Sequence, residues 1–365
     1  MAEESDPELA QRARGGDVRA QVRLGLMLEH AGRADEGLDW LARAARTDDV
    51  EALTLVGQRL VSGPHAQFLA PRGLELLAEA AARGGGDAAA QLAVLRGAGI
   101  RIGQDWTIAL DWLQRAADLG QARARGQLAV LAGGPTGKAA SAASSDRWRR
   151  MRESVDINAW ARPSRPAEVL HEEPLVCCFR TFAPPRACAW IIEQSRPRLQ
   201  QAQVIDAATG AFVSSADRNN RAANFGVCDS DLVFLLIQAR IASAAGTDLT
   251  MMEAASVLCY ARGEQAHEHF DFLDPAVPAY QREIRQGGQR IATCLVYLND
   301  DYEGGTTDFP RLHVSHKASR GDALLFRNVD HAGKPEPRSL HAGRPPIAGE
   351  KWVLSTFIRD RRRIP

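Results

Sequence analysis

The sequence predicts a two-domain α + β protein, with an N-terminal α-solenoid of helix pairs and a C-terminal double-stranded β-helix (jelly roll) with supporting helices. Three observations predict this. The chain has 365 residues, which is long for a single hydrophobic core. Its first third repeats one short block at a fixed period. From about residue 150, short strand-like runs separated by glycine-rich turns replace the helical pattern.

Composition excludes several classes of partner. The chain carries 45 basic and 45 acidic residues, so it has no general attraction to nucleic acid or to an anionic membrane. No apolar run approaches the roughly 20 residues that span a bilayer, and the first ten residues contain no apolar signal core. We therefore expect a cytoplasmic protein. The six cysteines show no CxxC pairing and are expected to be reduced core residues.

The repeat defines the first domain. Three matching blocks stand 36 residues apart: GLDWLARAA (37–45), GLELLAEAA (73–81) and ALDWLQRAA (109–117). A second register lies between them, at Leu24-Gly25, Val56-Gly57, Leu92-Ala93 and Leu128-Ala129. Each unit therefore reads as two short amphipathic helices that bury their apolar faces only by stacking on neighbours. The pattern resembles Sel-like repeats of the tetratricopeptide type. Its role is either a concave surface for a protein partner or a helical cap that packs or dimerises.

Domain boundaries follow from these patterns. We expect helical repeats over 1–132 and a flexible linker over 133–146, where glycine, serine and alanine show no periodicity. The second domain then covers 147–365. Its predicted helices cover 184–199 and run from Asp229 to Ala245, and residues 272–289 are expected to form a long loop. The predicted strands are 175–180, 255–261, 291–299, 323–328 and 351–359.

The stretch HEHFDFLDP (267–275) concentrates metal-ligating side chains. Residues i and i+2 of a strand share a face, so His269 and Asp271 can hold one ion together. Three ligands on one strand, including His267, would be spread over roughly 13 Å at the ~3.3 Å rise per residue. A distant segment should supply the third ligand, and SLHAG (339–343) offers His341. Two histidines and one carboxylate with open positions suit a non-haem Fe(II) oxygenase.

Lys351 is one of only four lysines in the chain. It opens a predicted strand ten residues after His341. An ammonium in that place could form a charge-assisted bond with a carboxylate. A dicarboxylic keto acid would meet such an ion at one end while its other end chelates the metal.

Four blocks of the second domain resemble, in order, the signature segments of prolyl 4-hydroxylase-like 2-oxoglutarate/Fe(II) oxygenases. They are YARGEQAHEHFD (260–271), YLNDDYEGGTTDFP (297–310), GDALLF (321–326) and SLHAGRPPIAGEKW (339–352). The resemblance covers roughly residues 174–360.

The resemblance implies roles for individual residues. His269, Asp271 and His341 would bind iron, and Lys351 would bind the distal carboxylate of 2-oxoglutarate. Hydroxyl contacts would come from Tyr260 and Thr307. O2 would be the oxidant, and the family allows ascorbate as an additional reductant. The implied reaction hydroxylates prolyl residues of a protein or peptide and releases succinate and CO2.

Two departures from the family pattern leave alternatives open. The family's second tyrosine is replaced by Ala266, and Thr306 stands in place of a glutamate. The missing tyrosine removes a phenol contact to cosubstrate or substrate. One alternative is hydroxylation of a small molecule such as a free amino acid. Another is a repeat-based interaction scaffold with an inactive oxygenase domain.

Overall fold

The structure, a computed structural model, describes residues 7–63, 66–134, 145–205, 212–214, 219–226 and 228–362. The chain divides into two compact units. One takes in residues 1–155 with 230–232, and the other takes in 156–229 with 233–364. The predicted linker over 133–146 falls mainly on residues 135–144, which lie outside the described ranges.

The first unit is helical. Its described helices are α1 (Pro7–Arg14), α2 (Val18–His30), α3 (Ala34–Ala44), α4 (Val50–Ser62), α5 (Ala66–Ala82), α6 (Gly86–Ala98), α7 (Trp106–Asp118), α8 (Ala122–Leu131) and α9 (Ser145–Glu153). The three matching sequence blocks lie in α3, α5 and α7, and the second register lies in α2, α4, α6 and α8. The predicted helical repeats are therefore confirmed.

Small residues set how closely the paired helices approach. A Cβ added to Gly25 in α2 would lie 2.9 Å from Leu41 Cγ in α3, and one added to Gly57 in α4 would lie 2.8 Å from Leu77 Cγ in α5. Both leucines are fully buried. The same glycine–leucine contact thus recurs in successive pairs, and side chains larger than hydrogen would force the helices apart.

The second unit is built on antiparallel sheet with supporting helices. The helices are α10 (Ile157–Ala161), α11 (Pro185–Ser195), α12 (Leu232–Ala244) and α13 (Pro278–Gly287). The strands are β1 (Glu168–His171), β2 (Val176–Phe179), β3 (Gln200–Gln201), β4 (Gln203–Ile205), β5 (Phe212–Ser214), β6 (Arg221–Asn224), β7 (Ser256–Tyr260), β8 (Ala266–His269), β9 (Arg290–Tyr297), β10 (Glu303–Gly304), β11 (Thr307–Phe309), β12 (Val314–His316), β13 (Ala323–Arg327), β14 (His341–Gly343), β15 (Pro346–Ala348) and β16 (Lys351–Arg359).

Two sheets make up most of this unit. An eight-stranded sheet has the order β1-β2-β13-β9-β16-β7-β6-β3, and a four-stranded sheet has the order β12-β11-β14-β8. One buried cluster joins them, since it contains Tyr297 and Val353 from the larger sheet and Phe309 from the smaller one. The apolar residues of the central strands thus form the core and hold both sheets in register.

The expectation of a long loop over 272–289 was wrong, because α13 lies within it. Pro278 stands in the first turn of this helix, where its missing N–H costs nothing. Gly288 ends the helix with a φ of 79°. The two residue types that suggested a loop therefore mark the ends of a helix.

Two expectations drawn from composition concern membrane-spanning helices and the cysteines. Among the described residues, no helix is both long enough and apolar enough to cross a bilayer. Cys177, Cys178, Cys188, Cys259 and Cys294 are buried free thiols, as expected, but Cys228 is only half-buried, so the expectation of a core residue was wrong there.

Candidate metal centre and cosubstrate cavity

The predicted ligands come together from two adjacent strands of the smaller sheet and from the segment that follows one of them. His269 ends β8, Asp271 follows two residues later, and His341 opens β14. His269 and His341 are directly opposite each other in the antiparallel pairing of these strands. The strand register therefore joins two histidines that lie about seventy residues apart in the sequence.

The ligating atoms lie close enough to share one ion. One nitrogen from each histidine and one carboxylate oxygen of Asp271 all lie within 4.8 Å of one another. His269 Nε2 is 3.6 Å from Asp271 Oδ1, and His341 Nε2 is 3.3 Å from Asp271 Oδ2. His341 and Asp271 are buried, whereas the side chain of His269 is 41% exposed. The cluster is thus closed on one side and accessible on the other.

Backbone carbonyls orient both imidazoles. His269 Nδ1 lies 2.7 Å from the carbonyl of His267, and His341 Nδ1 lies 3.0 Å from the carbonyl of Ser339. A carbonyl only accepts, so each Nδ1 must carry a proton, and each Nε2 is the nitrogen that faces the centre and would bind the metal. Two neutral imidazoles and a carboxylate fit a divalent ion such as Fe(II) that keeps open coordination positions.

The charge state of Asp271 suits this role. Burial alone would raise the pKa of Asp271, but His341, His269 and a hydrogen bond from Thr293 hold that pKa below its usual value. Burial acts to lower the pKa of His341, and the Asp271 carboxylate outweighs it and raises that pKa. The carboxylate therefore stays ionised and available as a ligand at neutral pH.

Lys351 lines the same cavity as the three predicted ligands. It begins β16, is 3% exposed, and donates to the carbonyl of Gly305 at 2.7 Å. Gly305 has a φ of 65°, a conformation that side chains disfavour. Burial lowers the pKa of Lys351 to about 7, and the charge of Asp308 opposes this. The cavity thus contains a cation that an anionic ligand would stabilise.

Tyr260 and Thr307 also line this cavity. Tyr260 is opposite Lys351 in the pairing of β7 with β16, and the Lys351 Nζ lies 5.6 Å from its ring centroid. Thr307 shares a 2.7 Å hydrogen bond with the hydroxyl of Tyr297. Burial raises the pKa of Tyr297, so its hydroxyl stays protonated. Sequence reasoning missed Tyr297, although it opens the YLN block, because it reads there as a core aromatic.

Ala266 has a defined place at the mouth of the cavity. It is opposite Gly343 in the pairing of β8 with β14, and a Cβ added to Gly343 would lie 3.7 Å from that of Ala266. Ala266 lines both this narrow cavity and a larger adjoining groove of about 1510 Å³. Two small residues therefore stand where the cavity meets the groove.

The groove runs beside the exposed side of the metal cluster. Aromatic side chains line part of it, among them Phe270 and Phe272, whose rings stack with centroids 4.7 Å apart. Phe270 is 36% exposed. This surface is hard to predict from the sequence, because its lining residues come from many separate segments. They are Gln200–Gln203, Ala222, Asn224–Gly226, Glu253, Ala254, Ser256, Leu258, Ala266–Asp274, Tyr280, Glu283, Arg290, Arg344, Ser355 and Phe357.

Comparison with known proteins defines the class. Residues 255–359 match the family model described as the 2OG-Fe(II) oxygenase superfamily. Prolyl 4-hydroxylase 1 of Arabidopsis thaliana is 31% identical over 241 residues, which cover 59% of this chain and 82% of the relative. The probable prolyl 4-hydroxylase 3 of the same plant is 31% identical over 211 residues, covering 52% of this chain and 71% of the relative. The chain therefore belongs to the prolyl 4-hydroxylase-like family of 2-oxoglutarate/Fe(II) oxygenases. It is an enzyme that uses Fe(II), 2-oxoglutarate and O2.

Solved structures show weaker likeness. A viral collagen prolyl hydroxylase from Paramecium bursaria Chlorella virus-1, in complex with 2-oxoglutarate, is 24% identical with a TM-score of 0.39. The match covers 50% of this chain and 94% of that one. A Sel1 repeat protein from Oxalobacter formigenes is 22% identical with a TM-score of 0.31, covering 42% of this chain and 64% of that one. The family assignment rests on the sequence relatives.

Proposed function

We propose that this oxygenase hydroxylates prolyl residues of a protein or peptide at a metal centre formed by His269, Asp271 and His341. The observation that carries the proposal is the convergence of two imidazoles and a carboxylate in a cavity that also contains a buried ammonium. The names of the relatives, all prolyl 4-hydroxylases, support the substrate class. We further propose that the two sheets form a double-stranded β-helix around this cavity.

The cofactors and the protein divide the work. When bound, Fe(II) with 2-oxoglutarate and O2 supplies the oxidation of a C–H bond to C–OH, with succinate and CO2 as co-products. The protein presents both histidine Nε2 atoms through their carbonyl-held tautomers and keeps Asp271 ionised. Preformed ligands of this kind require little rearrangement when the metal binds.

Lys351 would hold the far carboxylate of 2-oxoglutarate. It is the buried cation of the cavity, and its ammonium already points at the carbonyl of Gly305. The hydroxyls of Tyr260 and Thr307 would complete the contacts around that carboxylate. Apolar side chains such as Leu258 and Val353 line the remaining wall and exclude water. A charge-assisted bond in these surroundings is stronger than one in solvent.

The groove favours a chain-like substrate over a free amino acid. Its volume of about 1510 Å³ exceeds the roughly 300–1,000 Å³ of ordinary small-molecule pockets. The stacked Phe270 and Phe272 offer an apolar surface for several residues of a substrate. Ala266 leaves room at the junction of groove and cavity that a tyrosine would occupy. Together these features let an extended segment place one side chain at the metal.

The repeat unit would bind a protein partner. A second groove, of about 790 Å³, lies along α2 and α4. Leu26 and Leu55 line it and are 36% and 37% exposed. Unpaired apolar side chains on a helical surface are a feature of protein-binding sites. We propose this groove as the contact for the partner.

The test is turnover with defined substrates. Purified protein with Fe(II), 2-oxoglutarate and proline-containing peptides should release succinate and add one oxygen mass to the peptide. His269→Ala, Asp271→Ala and His341→Ala should each abolish both signals. His331→Ala is the matched control, because its side chain is 91% exposed, and it should retain activity.

The outcomes separate the three functions. Modified peptide with no modified free proline supports the proposal. Modification of free amino acids alone would support a small-molecule hydroxylase. Stoichiometric metal binding without succinate release from any substrate would support a repeat-based interaction scaffold with an inactive oxygenase domain. Full activity in any one of the three ligand variants would refute that ligand assignment.

A further inference from the structure

Two buried polar residues form a hydrogen-bond chain that ends on Asp271. Thr293 lies in β9 and Asn328 directly follows β13. Asn328 Nδ2 donates to Thr293 Oγ1 at 2.9 Å, and Thr293 Oγ1 donates to Asp271 Oδ2 at 2.8 Å. Thr293 is 1% exposed and Asn328 is fully buried. Neither residue is among those that line the cavity or the groove.

The chemistry of the groups fixes which atom donates in each of these hydrogen bonds. An ionised carboxylate only accepts hydrogen bonds, so the Thr293 hydroxyl must donate to Asp271. The oxygen of that hydroxyl is then left to accept, and Asn328 must turn its NH2 group towards it. This orientation leaves Asn328 Oδ1 buried with no hydrogen-bond partner among the described residues. A buried unsatisfied acceptor is destabilising, and an apolar residue at this position would avoid that cost.

We propose that Thr293 and Asn328 are positioning residues that fix the Asp271 carboxylate for the metal. The hydroxyl occupies a lone pair of Oδ2 and restricts rotation of the carboxylate. Without it, Asp271 could turn into a closer ion pair with His341, whose Nε2 is already 3.3 Å away, and that pair competes with the metal. Asn328 acts through Thr293 by holding its hydroxyl in the donating orientation. The inference rests on the proposed metal centre.

The test compares variants that differ only in the hydroxyl. Thr293→Ser and Thr293→Ala both lose the methyl group, but only serine keeps the donor. Mn(II) affinity is measured on the full chain by electron paramagnetic resonance titration. Loss of a residue that orients a metal ligand typically costs 10–100-fold in metal affinity. We expect Thr293→Ala and Thr293→Val to weaken Mn(II) binding by about tenfold or more, and Thr293→Ser to stay within about threefold of wild type.

A neighbouring threonine controls for loss of packing. Thr356 in β16 is equally buried, and its hydroxyl donates to the carbonyl of Glu253 at 3.0 Å. Thr356→Val should leave Mn(II) affinity unchanged, although it destabilises the metal-free protein to a similar extent in thermal unfolding. A purely structural role for Thr293 would make the two valine variants behave alike in both measurements.

A double-mutant cycle tests whether Asn328 acts on Asp271 through Thr293, as the hydrogen-bond chain implies. Asn328→Ala should weaken Mn(II) binding in the wild-type background and have no further effect in the Thr293→Ala background, because the group it acts through is gone. Additive effects would overturn the serial arrangement. Unchanged Mn(II) affinity in folded Thr293→Ala would overturn the proposal.

One further variant separates this inference from the proposed function. If His269→Ala also binds Mn(II) like wild type, the metal centre itself is wrong. If His269→Ala loses Mn(II) and Thr293→Ala does not, only the positioning role fails.

Discussion

The two ends of the cavity are built in opposite ways. At the metal end, each imidazole is fixed by a backbone carbonyl, and the carboxylate accepts a hydrogen bond from Thr293. At the other end, Lys351 is buried with the carbonyl of Gly305 as its hydrogen-bond acceptor, and the rings of Tyr260 and Tyr297 lie 5.6 and 5.4 Å away. One end consists of ligands held in place, and the other consists of a single charge.

The difference shows how each end recognises its ligand. Orientation at the metal end is complete before the ion binds, so affinity there depends on geometry. The cosubstrate end is electrostatically incomplete, since burial lowers the pKa of Lys351 to about 7. A dicarboxylate that binds there would provide the missing negative charge and restore the protonated state of the lysine.

The largest effect should follow from a change at the metal end. His341→Ala removes one of the three proposed metal ligands, and Mn(II) affinity should fall by roughly 1000-fold. Binding of 2-oxoglutarate should be lost with it, because the metal holds one end of the cosubstrate. Calorimetric titration of both ligands checks this. If the variant loses the metal but keeps its affinity for 2-oxoglutarate, the metal does not hold one end of the cosubstrate, and the two-ended description of the cavity is wrong.

A change at the other end should affect only one ligand. Lys351→Met keeps an unbranched side chain only one atom shorter and removes its charge, so the Kd for 2-oxoglutarate should rise by about 100-fold. Mn(II) affinity should stay within about twofold. Lys334→Met, at an exposed lysine, is the control and should change neither. If both affinities fall together in Lys351→Met, the two ends are coupled and the comparison fails.

The pH dependence of cosubstrate binding should be intermediate in size. Below pH 7 the free protein already carries a protonated Lys351, so affinity is at its maximum. Above pH 7 binding must take up a proton, and the Kd should rise towards tenfold per pH unit. Asp308, the acidic group that raises the pKa of Lys351, has its own pKa held below the usual value and stays ionised over this range. Titration of 2-oxoglutarate into Mn(II)-loaded protein at several pH values from 6 to 9 gives the change in log Kd per pH unit.

Lys351→Met is the control for that slope. It should bind 2-oxoglutarate weakly but with little pH dependence above 7. If the Kd of the variant changes with pH as steeply as that of wild type, the titrating group lies at the metal end and not at Lys351.

The smallest effect should come from Tyr260→Phe. Loss of one hydroxyl contact to the cosubstrate should raise the Kd for 2-oxoglutarate by about two- to tenfold, the usual value of a neutral hydrogen bond. Metal affinity should not change. A Kd equal to that of wild type would remove Tyr260 from the cosubstrate contacts and leave Lys351 and Thr307.

Local patterns made much of this structure predictable. The 36-residue period predicts the helix pairs, because each pair repeats the same close contact, such as Gly25 with Leu41. The spacing of His269 and Asp271 follows from the strand period. For His341 the sequence offers only a suitable residue in a distant segment, and the resemblance to a known family supports it. The roles of Lys351, Tyr260 and Thr307 also depend on that resemblance.

The remaining features depend on contacts between distant segments. Thr293 looks like any β-branched residue of a strand, and Asn328 looks like a turn residue, so the sequence gives no sign that both support Asp271. The strand pairing that places His341 opposite His269 is equally invisible, since register depends on the folded sheet. Helix α13 was missed because its proline and glycine mark helix ends as readily as they mark loops.

The pairing of the two histidines has a mechanical consequence. A slip of one residue between β8 and β14 would turn one imidazole to the opposite face of the sheet, so the centre is either whole or absent. An ion bound by residues of both strands would cross-link them at the edge of the smaller sheet. Because it binds only the correct register, loading the metal would also suppress misaligned forms of that edge.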